Sequence, residues 1–273
     1  MDGILKMANY RFFIQYEGTR YQGWQKLGGK EQTIQGKLEE VLARMTAEEV
    51  TLIGSGRTDA GVHAKMQVAN AHFTTTLSEQ EIMDYVNRYL PEDIAVTNVT
   101  RVAETFHSRF DALEKTYLYR VRVSAVRDVF NRRYIYDCQK PASAFDLSQM
   151  RKAAGFLVGT HDFQAFCGRK IKKKSTVRTI MSVDIKEEGG ELQFLYRGNG
   201  FLFHMVRILT GTLLEVGEGR KKPEAMEEIL RSGKRQNAGE TVPAKGLTLL
   251  SVKYPEMDNH QAVKKIGEYQ GIK

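Results

Sequence analysis

Hydrophobic and polar side chains alternate near the start of the chain. Tyr10, Phe12, Ile14 and Tyr16 fall on one side of residues 10–16, with more polar neighbours between them. Alternation with a period of two is typical of a strand that has one buried face. The pattern therefore predicts that the first element is a half-buried β-strand.

Helix and strand signals then complete a β-α-β-β-α-β order. Thr33 precedes apolar residues spaced at three and four and is expected to cap a helix. Ser78 and Glu81 form a capping box that opens a second helix, which we expect to end before Pro91. Strands are predicted over residues 50–56, 67–73 and 94–102. This order is that of the ferredoxin-like, or split βαβ, motif.

The same order recurs further along the chain. The pattern predicts strands over residues 116–123, 180–186, 192–197 and 247–254, and helices after Asp146, over residues 201–216 and over residues 223–231. Gly189 and Gly190 indicate a hairpin between the second and third of these strands. We predict an α+β protein of two ferredoxin-like (βαββαβ) halves, with mostly antiparallel sheets and with helices on the outer face.

The recurrence also predicts how the chain divides. Residues 1–110 form an N-terminal α/β half, residues 111–255 form a C-terminal α/β half, and residues 256–273 form a polar tail. Tails of this composition are commonly frayed.

Charge narrows the class of partner. Lys and Arg number 41 against 33 for Asp and Glu, a formal net charge of +8. This surplus favours a polyanionic partner such as nucleic acid, although a merely basic protein remains an alternative. Cys138 and Cys167 lack the spacing of a disulfide framework or a zinc site, which favours a reducing cytoplasm. No apolar stretch has the length of a membrane span, and no signal peptide is visible.

Residues 54–64 hold the residues most suited to chemistry. Three glycines surround Arg57 and Asp59 in a segment of small side chains between two predicted strands. Such a loop can present a carboxylate to a cavity with little bulk around it. The alternative is an ordinary turn in which Asp59 bonds to nearby backbone.

These residues and four further blocks resemble a known family. Residues 56–64, GRTDAGVHA, match the signature loop of TruA-type tRNA pseudouridine synthases without departure. The other matching blocks are residues 16–25 (YEGTRYQGWQ), 106–119 (from FHSRF to KTYLY), 198–207 (GNGFLFHMVR) and 243–247 (PAKGL). A nine-residue identity followed by blocks in the same order is far more specific than a lone glycine motif.

The resemblance implies an enzyme that isomerises uridine at positions 38, 39 and 40 of tRNA, in a central RNA-binding cleft. It gives Asp59 the catalytic role, and Tyr117 the role of stacking on the target base. Arg57 is expected to help displace that base, and Arg207 is our candidate for the charge partner of Asp59. From spacing alone, Tyr117 would be a core tyrosine. For Arg57, the alternative is a structural ion pair with a nearby carboxylate.

The family reaction needs neither a cofactor nor a metal, and family members act as homodimers in which one tRNA contacts both subunits. Asp59 can add to the sugar, add to the base or act as a base on the ribose, and the sequence leaves these routes open. Basic residues expected to contact RNA phosphates are Arg169, Lys170, Lys172, Lys173, Lys174 and Arg178. A second basic run, residues 220–222, is equally well explained as a solvated loop.

Two other functions compete with this interpretation. Ferredoxin-like sheets also occur in RNA-binding modules without catalytic activity. Such a module would not need a carboxylate that faces a polyanion. A metal-dependent hydrolase built on Asp59 and His63 would require further ligands, which the loop does not supply.

Overall fold

The computed structural model describes residues 7–28, 32–170 and 175–255. The strands are β1 (Ala8–Tyr16), β2 (Ile53–Gly54), β3 (His63–Phe73), β4 (Ile94–Val102), β5 (Glu114–Arg122), β6 (Tyr136–Asp137), β7 (Gly159–Asp162), β8 (Val177–Glu188), β9 (Glu191–Gly198) and β10 (Leu247–Lys253). The helices are α1 (Ile34–Thr46), α2 (Glu79–Tyr89), α3 (Leu147–Gly155), α4 (Met205–Gly217) and α5 (Ala225–Ser232). No helix within these ranges has the length and apolar character that crossing a bilayer requires.

All the strands join one mixed, mostly antiparallel sheet. The strand order is β4-β1-β3-β10-β5-β9-β8-β7, with β2 paired to β3 and β6 paired to β5. The four main strands of each half are arranged in the same way. Counted along the chain, the fourth strand lies beside the first, followed by the third and the second. This arrangement is β4-β1-β3-β2 in the first half and β10-β5-β9-β8 in the second. The predicted α+β class is confirmed, but the halves share a single sheet, because β3 and β10 pair in parallel between His63 and Thr248.

The division at residue 110 stays a prediction, with its boundary in the segment between β4 and β5. The predicted tail, residues 256–273, lies outside the described residues. One hydrophobic core extends under both halves and includes the fully buried rings of Trp24, Tyr119 and Tyr196. The centre of the sheet is therefore closely packed and rigid, and the loops that connect its strands are attached to it.

The helices α1, α2 and α3 begin at the capping residues that the sequence predicts. The Thr33 hydroxyl accepts a hydrogen bond from the Gly36 amide at 3.2 Å, and Asp146 accepts one from the Gln149 amide at 3.0 Å. Ser78 heads a complete capping box at the start of α2. Each cap satisfies amide groups that have no partner within the helix.

The predicted hairpin is also confirmed. Glu188 and Glu191 pair across the ends of β8 and β9. Gly189 and Gly190 between them have φ angles of 61° and 74°. A two-residue turn with both φ angles positive matches the twist of the strands, and glycine adopts it without a steric penalty.

Two predicted elements are markedly shorter in the structure, for identifiable reasons, while the strand predicted from residue 67 begins earlier, at His63. The strand predicted over residues 50–56 shrinks to β2, because side chains of α1 take the backbone groups of Leu52. Its amide donates to Glu39 at 3.0 Å, and its carbonyl accepts from Gln35 at 3.0 Å. The helix predicted from residue 201 begins at Met205, because His204 has a φ of 61° and cannot continue a right-handed helix.

Candidate active site

The loop between β2 and β3 is held by the elements around it. The Thr58 hydroxyl shares a buried hydrogen bond with the Tyr16 hydroxyl at 2.8 Å. The Thr58 carbonyl accepts from the Trp24 amide at 3.1 Å, and the Ser55 amide donates to the Val68 carbonyl at 2.7 Å. These bonds hold the loop at Ser55 and at Thr58, the residue directly before Asp59, so this part of the loop has little freedom to move.

Gly23 lets a neighbouring segment approach this loop closely. Its φ is 94°, and a Cβ atom there would lie 2.6 Å from the Thr58 carbonyl oxygen. No side chain fits between the two backbones at that separation. The glycine is therefore part of what fixes the position of the residue that follows Thr58.

Asp59 faces an arginine on α4 and the histidine that directly precedes this helix. Its Oδ2 atom lies 3.5 Å from Nη1 of Arg207 and 3.6 Å from Nε2 of His204. Arg207 is itself fixed, because its Nε donates to the Val242 carbonyl at 2.8 Å. The structure thus brings together Asp59 and the arginine that sequence reasoning named as its charge partner.

The electrostatic balance at Asp59 has opposing parts. Burial raises the pKa of the Asp59 carboxyl above its ordinary value, while His204, Arg207 and Arg169 act to lower it. Burial lowers the pKa of the His204 imidazole, although the charge of Asp59 acts in the opposite direction. A carboxylate that is partly removed from water and depends on a specific cation is typical of a functional site.

Sequence reasoning assigned no role to His204, which lies beside Asp59. Its ring stacks on that of Phe203, with centroids 3.7 Å apart and planes at 24°. The Arg169 guanidinium lies 5.3 Å from the centroid of the Phe203 ring. No helical period signals this contact, because His204 precedes α4 in a left-handed backbone conformation.

Tyr117 lies on β5 near the loop. Only 8% of its surface is exposed, and its ring meets the edge of Phe201 with centroids 5.2 Å apart. Burial, with a smaller contribution from Asp59, raises the pKa of its hydroxyl well above the ordinary value. Across the described ranges its hydroxyl has no hydrogen-bond partner, so the ring and not the hydroxyl accounts for its packing.

Among the described residues, the other predicted side chains form no hydrogen bond or ion pair with Asp59. Arg57 is exposed, and its Nε donates to the Gln25 side chain at 2.9 Å instead of forming an ion pair with a described carboxylate. Arg169 and Lys170 are exposed, and Arg178 is partly buried. Lys172, Lys173 and Lys174 lie outside the described residues.

The second basic run has carboxylate partners. Arg220 lies 2.6 Å from Glu218 and 3.6 Å from Glu215, and Lys221 lies 3.5 Å from Glu215. Charges that are neutralised within the protein are poorly suited to holding phosphates. The interpretation as a solvated loop is therefore the better one for residues 220 and 221.

His63 has a structural role that leaves no ring nitrogen for a metal. Its Nδ1 accepts from the Gly18 amide at 3.0 Å, so Nε2 carries the proton. Nε2 lies 2.8 Å from the Arg133 carbonyl oxygen and 3.2 Å from that of Lys245. No group of three or more metal-ligating side chains occurs among the described residues. This geometry does not favour the hydrolase alternative.

The fold and the site together define an α+β protein with an enzyme-type centre, in which one carboxylate of a fixed loop faces an arginine. A family model described as tRNA pseudouridine synthase matches residues 13–111 and 153–255. The chain belongs to this tRNA pseudouridine synthase family.

Individual relatives agree with the family match. The chain is 46% identical over 248 residues to tRNA pseudouridine synthase A of Bacillus sp. (strain KSM-64), covering 91% of this chain and 100% of that protein. It is 45% identical over 249 residues to tRNA pseudouridine synthase A 1 of Clostridium tetani (strain Massachusetts / E88), with the same coverage. Among solved structures, the crystal structure of a Cbf5-Nop10-Gar1 complex aligns with 79% of this chain and 55% of that chain, at 11% identity and a TM-score of 0.30.

Proposed function

We propose that this protein is an isomerase that converts uridine to pseudouridine at positions 38, 39 and 40 in the anticodon stem-loop of tRNA, with Asp59 as the catalytic carboxylate. The observation that carries the proposal is the Asp59 carboxylate, which is held by a fixed loop 3.5 Å from Arg207. Membership of the tRNA pseudouridine synthase family and the relatives' names support it.

The reaction requires few protein groups beyond the Asp59 carboxylate and Arg207. The bond between N1 of uracil and C1′ of ribose breaks, and a bond from C5 to C1′ forms. The C5 proton leaves and N1 gains a proton, so substrate and product are isomers and no electrons are exchanged. A single carboxylate can serve as a nucleophile or as a base in such a sequence, and no cofactor is required.

Arg207 keeps Asp59 ionised when RNA covers the site and water leaves. Removing solvent raises the cost of a bare carboxylate, and a guanidinium within a few ångströms offsets that cost. Tyr117 offers the face of a ring to the uracil, which must turn after its glycosidic bond breaks. Stacking stabilises a base with little demand on its orientation in the plane.

The site draws on both halves of the chain, which supports an RNA-binding cleft between them. Asp59 comes from the first half, while Tyr117, His204 and Arg207 come from the second. The exposed Arg57 on the same loop as Asp59 is suited to displacing the target base from its helix, which costs a few kcal/mol. The exposed Arg169 and Lys170 are suited to contacts with phosphates.

The remaining features of the proposal follow from the family resemblance. The protein acts in the cytoplasm, and two copies form a homodimer that contacts one tRNA. Light scattering at working concentrations tests the dimer, and a monomeric mass would contradict it.

Mapping of pseudouridine in tRNA incubated with wild type and with Asp59→Asn tests the proposed function. We expect modification in the anticodon arm with wild type and none with the variant, while tRNA binding is retained. Activity is expected to survive a chelator, whereas a metal-dependent hydrolase would lose it. Equal modification by both proteins would remove Asp59 from the mechanism, and no modification by either would favour a binding module.

A further inference from the structure

Three cationic side chains gather beside the loop that carries Asp59. Lys115 lies on β5 two residues before Tyr117, so both side chains project from the same face of the strand. Its ammonium group donates to the Ser55 carbonyl at 2.6 Å. Arg109, before β5, and Arg178, on β8, are close enough to Lys115 to act on its charge.

The three charges lack a counter-ion in the described part of the chain. No ion pair joins any of them to a described carboxylate. The Ser55 carbonyl uses one of the three ammonium protons of Lys115, which leaves two available. Arg178 donates through Nη1 to the carbonyls of Ser175 and Val177, which leaves its other nitrogens available. The Arg109 guanidinium has a ring contact with Phe110, at 5.9 Å from the centroid.

The surroundings of Lys115 disfavour the charged form of its side chain. Burial, together with smaller effects of Arg109 and Arg178, lowers the pKa of the Lys115 ammonium to about 8. Burial also lowers the pKa of Arg178, and Arg109 acts in the same direction. Like charges held together without a counter-ion repel one another, and a bound anion would turn that repulsion into attraction.

Two glycines lie directly against the cluster. A Cβ atom on Gly56 would lie 2.8 Å from the Lys115 ammonium nitrogen, and one on Gly200 would lie 3.6 Å from Nε of Arg178. Gly56 opens the loop that leads to Asp59. An anion at the cluster would therefore lie beside the site that receives the target uridine.

We propose that Lys115, Arg109 and Arg178 bind one backbone phosphate of the substrate RNA, next to the nucleotide that is isomerised. The proposal rests on the proposed function, because it takes RNA to be the substrate. A phosphodiester brings one negative charge and free oxygens, which match an ammonium and two guanidinium groups. Its binding would fix the position of the neighbouring uridine relative to Asp59.

The test pairs a change in the RNA with a change in the protein. Anticodon stem-loop RNAs carry one uncharged methylphosphonate at each position in turn around the target uridine, and their Kd values are measured. With wild type, one position is expected to weaken binding by about 10- to 100-fold. With Lys115→Met, binding to the fully charged RNA weakens similarly, and that position loses its effect.

Further variants test whether the effect of that phosphate depends on the charges of these three side chains. Lys115→Arg keeps the charge and is expected to keep the sensitivity to that phosphate. Arg109→Gln and Arg178→Gln are expected to reduce it, and they serve in place of Lys115→Met should that variant fail to fold. Lys186→Gln is the matched control, because Lys186 is exposed and lies 2.7 Å from Glu188. It should retain the full sensitivity.

The proposal is overturned if the lysine and arginine variants bind the charged RNA as tightly as wild type, or if they respond to every methylphosphonate as wild type does. Formation of pseudouridine is measured on the same preparations. If sensitivity to one phosphate depends on these three side chains but wild type forms no pseudouridine, the result contradicts the proposed function alone. If wild type forms pseudouridine but no phosphate sensitivity depends on these side chains, the result contradicts the phosphate site alone.

Discussion

Arg207→Gln is the substitution that most directly perturbs the electrostatics of the site. The arginine nitrogen lies 3.5 Å from the Asp59 oxygen, and the two side chains are 14% and 19% exposed. At that distance and an effective dielectric constant of about 20, the attraction is about 5 kcal/mol. This is equivalent to roughly 3.5 pH units and is an upper bound. Because water and His204 replace part of the lost interaction, we expect a change of about 1 to 3 units.

The sign of the effect follows from the protonation of Asp59. Arg207 favours the ionised carboxylate, so its removal raises the pKa of Asp59 further above the ordinary value. Activity is present while the carboxylate is ionised and is lost as the pH falls through that pKa. The acid limb of the pH–rate profile therefore moves to higher pH in the variant.

The assay is the release of tritium from uridine labelled at C5, measured as a function of pH at saturating tRNA. Arg207→Lys keeps a positive charge and is expected to shift the limb less than Arg207→Gln. Arg231→Gln removes an exposed arginine that pairs with Glu227 at 3.3 Å and should not shift it. A uniform loss of activity in Arg207→Gln, with the limb unmoved, would refute this reasoning.

Two further predictions concern the ring and the loop. Tyr117→Phe should keep most binding and turnover, because the ring packs on Phe201 and the hydroxyl has no partner in the described residues. Tyr117→Leu should lose turnover, because it removes the ring. Single-turnover rates distinguish the two variants. Gly23→Ala should lower the free energy of unfolding by about 1 to 3 kcal/mol more than Gly28→Ala, as measured by urea denaturation. The φ angles are 94° and 95°, but only the first Cβ would meet the Thr58 carbonyl, at 2.6 Å, so equal losses would contradict the steric argument.

Local chemistry explains why many elements could be predicted from the sequence. The capping box at Ser78 and the paired glycines at residues 189 and 190 act through neighbours in the chain, and their structures match the predictions. The loop around Asp59 and the choice of Arg207 depended instead on the family resemblance. Without that resemblance, an ordinary turn would have remained an open alternative for Asp59.

Tertiary contacts explain what the sequence did not indicate. The strand predicted over residues 50–56 lost its first residues because Glu39 and Gln35 bind the backbone of Leu52. The single sheet depends on the β3–β10 pairing, which joins segments that are far apart in the sequence, at His63 and Thr248. His204 reaches Asp59 through a left-handed backbone conformation that no period in the sequence signals.

Single-turnover release of C5 tritium from an anticodon stem-loop tests the central claim most directly. Wild type and Asp59→Asn are each supplied in excess over the RNA, and binding is confirmed by titration. We predict that wild type releases one tritium for each uridine it modifies, and that the bound variant releases none above background. Release by Asp59→Asn at a rate near that of wild type would contradict the account.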